Sequence, residues 1–215
     1  MSNQVSNEDL ERIILEAAKK INIEYAAHTA PMYSLAEILA LKNVTALRKL
    51  GKTMRVKDYG KLPKSPLISI IAETLQQADN LRTCLFAIDG IEWDFFQKTA
   101  AKKYLQTDKV YIDSYSTSQN LGLLQSFYFE GKLFFVVPDE IKAAYRELVE
   151  TGFPEEKRFR DLLNSYAIAA VSLYGAISQD DFVALFNNQN DRQTSIDEMF
   201  SILLDYVYVD AGYCF

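Results

Sequence analysis

Apolar positions recur at helical spacing through most of this chain and give way to strand-like runs in a few short stretches. Leu10, Ile13, Ile14, Ala17, Ala18 and Ile21 form one stripe, which predicts a first helix running to about Glu24 or Ala27. Ser6 and Asn7 are placed to cap it, with Asp9 three residues after Ser6. Ser34 is placed to cap a short helix through Leu35, Ile38 and Leu39. Val44, Leu47 and Leu50 then recur every three residues, and Gly51 is placed to end that helix. Met54, Val56 and Tyr59 punctuate an extended piece that is otherwise basic. Pro63 or Pro66 opens the next helix, whose buried stripe is Leu67, Ile68, Ile71 and Leu75.

The middle of the chain reads differently. A helix capped by Asp79 or Asn80 runs through Leu81, Leu85 and Ile88 to the turn at Asp89-Gly90. A second follows over about 91–104, and a third from Ser114 or Ser116 to Leu124. Residues 126–129 and 132–137 are rich in Val, Phe and Tyr and flank Glu130-Gly131, which predicts a hairpin. Pro138-Asp139-Glu140 ends it and starts a helix to about Glu150. Three helices followed by a hairpin is the element order of a winged helix. The pattern then repeats weakly: residues 123–130 align without gaps on 203–210, and 91–96 on 177–182. A second unit is therefore expected, with a strand near 206–209 and a turn at Asp210-Ala211-Gly212. The sequence stops at Phe215, soon after a return strand would begin. Either the chain is truncated or its last strand pairs with something else. The expected architecture is mostly α with small β-hairpins: an N-terminal region over 1–78 and two tandem winged-helix-like units over 79–150 and 155–215.

Composition changes the picture in one respect. With 49% apolar and 13% aromatic residues in 215, the chain can bury a sizeable core. Its net charge is −6, which argues against a general polyanion binder. The charge is uneven, however. Residues 42–64 carry Lys42, Arg48, Lys49, Lys52, Arg55, Lys57, Lys61 and Lys64 against Asp58 alone, a net +7, and the remainder carries −13. The protein is an acidic body with one basic segment.

That segment resembles the helix-extended-helix unit at the N-terminus of transcription terminator Rho, and the related SAP motif, over about residues 43–76. The matching residues are Leu47 and Leu50, the Val56-Lys57-Asp58-Tyr59 link, and Lys61-Leu62-Pro63-Lys64 followed by Leu67-Ile68. The resemblance covers about a seventh of the chain and implies binding to RNA or DNA. On that reading Lys49, Lys52, Arg55, Lys57, Lys61 and Lys64 contact phosphates, which positions a protein without reading sequence. Tyr59 has two open roles, stacking on a base or packing between the helices. The basic run has three other readings: a solvated face, a surface docked on the acidic body of the same chain, or an interface for an acidic partner protein.

Other chemistry is thinly represented. Glycine-rich nucleotide loops are absent. His28 is the single histidine, and a loop role suits it better than catalysis. Cys84 and Cys214 lie too far apart in sequence to suggest a metal-binding pair or a disulfide framework. Acidic pairs such as Glu92 with Asp94 fall at predicted helix starts, where they favour the helix dipole. The aromatics of 93–96, 127–129 and 134–135 are read as core rather than as stacking platforms. The helices before the two expected wings, 114–124 and 194–204, are poor in Lys and Arg, which counts against groove reading. No apolar run approaches the ~18 residues of a membrane span. The expectation is a non-enzymatic, cofactor-free, cytoplasmic regulatory protein of bacterial or phage type. The alternative is an adaptor whose winged-helix-like units bind a protein partner or form a homodimer.

Overall fold

The computed structural model describes residues 7–207. Cα packing separates the chain into two compact units, Met1–Leu148 and Val149–Phe215. Helix accounts for 66% of the structure, beside one small three-stranded antiparallel sheet.

The first unit opens with α1 (Asn7–Tyr25), α2 (Leu35–Leu41), α3 (Val44–Thr53), α4 (Lys64–Gln76) and α5 (Ala78–Phe86). Residues 1–78 and 79–148 share this unit, and α5 packs on α4, so the boundary read at 78/79 does not divide compact units. Helix α1 forms where its stripe predicts, but a different face meets the unit. Leu10, Ile13, Ile14 and Ile21 are 45–54% exposed, whereas Ala18, Asn22 and Ala26 are buried. Asn22 explains the rotation. Its Nδ2 donates to the Val110 carbonyl at 2.6 Å, and its Oδ1 accepts from the Tyr115 hydroxyl at 2.8 Å. Ser6 lies outside the described residues.

Gly51 does not end α3. The helix runs on to Thr53, and Gly51 sits buried in its last turns. A Cβ built there would lie 3.1 Å from Tyr59 Cβ and 3.5 Å from Leu67 Cδ1. Glycine at 51 thus allows the link and α4 to approach α3 closely. The chain stops the helix four residues later. Val56 N–H donates to Gly51 C=O and Arg55 N–H to Lys52 C=O, a Schellman cap with Arg55 at φ +53°. The link 54–63 is therefore a series of turns rather than an extended piece, with Asp58 also at φ +55°.

Next come α6 (Gly90–Ala100), β1 (Leu105–Gln106), a 3₁₀ turn at Ile112–Ser114, α7 (Ser116–Asn120), β2 (Gln125–Phe129), β3 (Lys132–Val136) and α8 (Asp139–Glu150). The hairpin forms as expected, with positive φ at both Glu130 and Gly131. Strand β1 joins it, giving the order β1-β3-β2. The aromatic residues are chiefly core. Trp93, Phe96, Phe127 and Phe135 are buried, and Phe135 contacts Phe95 and Tyr115 with centroids at 5.0 and 4.9 Å.

The second unit holds α9 (Phe153–Tyr174), α10 (Gln179–Gln189) and α11 (Ile196–Val207), and no strand among its described residues. The strand expected near 206–209 is corrected over its described part: Tyr206 and Val207 finish a helix. Met199, Ile202 and Leu203 of that helix bury against Phe159, Leu163, Phe182 and Phe186, which requires helical spacing and overrides the β preference of Tyr and Val. Tyr206 donates to Asp161, which also accepts from buried Lys157 at 2.9 Å. Burial and that carboxylate push the Tyr206 hydroxyl above its ordinary range, so it remains a donor. The turn read at 210–212 lies outside the described residues.

Candidate nucleic-acid interface

The basic segment is built on α3, the 54–63 link and the start of α4. Leu47, Leu50, Gly51 and Met54 turn inward, so helical geometry turns Arg48, Lys49 and Lys52 outward, and all three are exposed. Arg55, Lys57 and Lys61 are exposed on the link. Within the first unit none of these six pairs with a described carboxylate. Asp58 shares the link, but its carbonyl accepts Lys61 N–H to close a turn.

Two lysines are tied into the fold. Lys64 opens α4 and donates from Nζ to the Ala40 carbonyl at 2.7 Å. Lys42 donates to the Gln119 carbonyl at 2.8 Å, and burial lowers its ammonium pKa to about 8. Both bonds leave the charge in place but fix the side chain. Tyr59 is half-buried, with its Cβ over Gly51. The structure thus places it in the packing between α3 and the link, which leaves part of the residue accessible. Arg48, absent from the sequence-based contact set, shares the outward face with Lys52 at i,i+4 spacing. That spacing was the signal for including it.

Other expected features sit apart from this surface. His28 is exposed and its Nε2–H donates to the Ile23 carbonyl at 3.0 Å. The helix before the hairpin, α7, has five residues, and its Ser118 and Gln119 are buried and bonded inward to Glu92 and Ser126. It presents no face for a groove. Residues 194–204 lie largely in α11, whose inner side is core. Glu92 does not serve its own helix start. Asp89 caps α6, and the Glu92 carboxylate caps α7 instead. Among the described residues no three His, Cys, Asp or Glu side chains gather as a metal site, and no helix is long and apolar enough to cross a membrane.

No family model, curated protein or solved structure matches the chain.

Proposed function

We propose that the chain is a non-enzymatic nucleic-acid-binding protein, regulatory and cytoplasmic, that contacts phosphates through α3 and the link after it. The supporting observation is the outward row of Arg48, Lys49 and Lys52 continued by Arg55, Lys57 and Lys61, all exposed and without carboxylate partners among the described residues of their unit. The resemblance to the Rho N-terminal and SAP units points the same way. Lys64 flanks the surface at the start of α4. The rest of the chain is acidic on balance, so contact with the phosphate backbone centres on this segment and is strongly salt-dependent.

Fluorescence anisotropy of labelled single-stranded RNA, single-stranded DNA and duplex DNA tests this at two or more salt concentrations. The expected result is micromolar or tighter binding that weakens steeply with salt. Lys57→Glu with Lys61→Glu should lower both the affinity and the slope of log affinity against log salt, by about 1.5 for two lost contacts. No binding at low salt would sink the proposal. A second reading, a protein adaptor or homodimer, draws support from the exposed apolar face of α1. Sedimentation analysis of the same double variant separates the two, because assembly through α1 is indifferent to charges on the link.

A further inference from the structure

A cleft of about 260 Å³ opens in the first unit where three elements meet: Lys19 from α1, residues 106–109 after β1, and Gly131 with Lys132 from the hairpin turn. Its lining residues include three lysines, Lys19, Lys109 and Lys132, and one aspartate, Asp108. That is a net charge of +2. Asp108 is engaged by Lys19 at 2.9 Å, a pairing that lowers the carboxyl pKa and raises that of the ammonium. Lys109 and Lys132 pair with no described carboxylate of the unit. Glu130, next in the turn, does not line the cleft.

Separate restraints hold the lysines together. Gln106 pairs with Phe134 in the sheet, which carries the 106–109 loop to the hairpin. Asn22 of α1 bonds the carbonyl of Val110, one residue beyond Lys109. Lys109 N–H donates to Thr107 Oγ1, which fixes the turn. Like charges are brought to one cleft by bonds made elsewhere, and their mutual repulsion is relieved by an anion.

We propose that this cleft binds a dianionic phosphate monoester. The group is either a free phosphorylated small molecule or the terminal phosphate of a nucleic-acid strand, and the site is independent of the α3 surface. Lys109 and Lys132 donate to the phosphate oxygens as charge-assisted hydrogen bonds, with Gln106 as a neutral donor at the rim. The +2 lining matches the dianion.

Isothermal titration of the full chain with inorganic phosphate is the primary test. Anisotropy with one oligonucleotide in 5′-phosphate and 5′-hydroxyl forms identifies the source. We expect saturable phosphate binding, weakened at least tenfold in Lys109→Ala with Lys132→Ala. It should be kept in Lys109→Arg with Lys132→Arg and in Lys57→Glu with Lys61→Glu. A wild-type preference for the 5′-phosphate strand that vanishes in the alanine variant assigns the site to strand ends. Saturable phosphate binding without that preference assigns it to a small phosphomonoester. Absence of saturable binding by the wild type, or equal binding by the alanine variant, overturns the proposal. Both lysines are exposed, so thermal unfolding of the alanine variant should match the wild type.

Discussion

Arg55 occupies the position that a helix usually gives to glycine. A side chain at φ +53° costs about 1 kcal/mol relative to glycine. The structure accepts that cost at a residue whose guanidinium lies on the proposed phosphate-binding surface, while the available glycine, Gly51, is used for close packing against Tyr59. The two residues have exchanged the roles that local sequence assigns them. Arg55→Gly should therefore raise the urea unfolding free energy by about 1 kcal/mol and at the same time weaken oligonucleotide binding. Stabilisation with undiminished binding would remove Arg55 from the contact set. The apolar spacing of Leu47 and Leu50 made α3 readable in the sequence. Its end was not, because whether a glycine serves as cap or as contact depends on Leu67 and Tyr59, which the local pattern of α3 does not include.

The same division holds among elements. The β2–β3 hairpin was legible because its turn chemistry is local: Glu130-Gly131 supplies both positive φ angles. Two helix starts fall where the sequence offers them, at Leu35 and Ser116, but their capping groups were not legible, since these come from far along the chain. Ser34 precedes α2 as expected, but the helix N–H of Leu35 donates to Glu140 Oε2, and Ser34 Oγ itself donates to Glu140 Oε1. Helix α7 is capped from 25 residues away. Thr117 N–H, Ser118 N–H and Ser118 Oγ all donate to the Glu92 carboxylate at 2.7–2.8 Å. Glu92 is 2% exposed, so a neutral amide there would turn a donor toward donors. Glu92→Gln should destabilise the first unit by about 2–3 kcal/mol, read from the urea midpoint of Trp93 fluorescence. A loss under about 0.5 kcal/mol would show that the contacts add little. The strand expected near 206–209 is overturned over its described part for the reverse reason: Tyr206 and Val207 carry strand preference, but they finish α11, whose inner side packs as helix.

At the scale of the molecule, two compact units give unfolding two potential steps. Trp93, the single tryptophan, reports on the first unit alone, whereas far-UV circular dichroism sums both. Asp161→Asn, which weakens the bonds of Lys157 and Tyr206 in the second unit, should move the dichroism transition and leave the tryptophan transition in place. Coincident shifts in both would mean one cooperative whole. Charge segregation was readable at this scale from composition. The meeting of Lys19, Lys109 and Lys132 was not, since it depends on β1, a two-residue strand with no sequence signature. Helix α1 has a further consequence. Its neighbours one turn either side of Asn22 are Ala18 and Ala26, and neither has a side-chain donor or acceptor. A slip of the helix by one turn would leave the Val110 carbonyl without the Asn22 amide and take the Asn22 acceptor from the Tyr115 hydroxyl in the interior. Apolar contact would tolerate a range of positions along the groove, whereas a single amide between alanines admits only one. Helix α1 is indexed in this way, so the lysine it carries arrives at the cleft in one place.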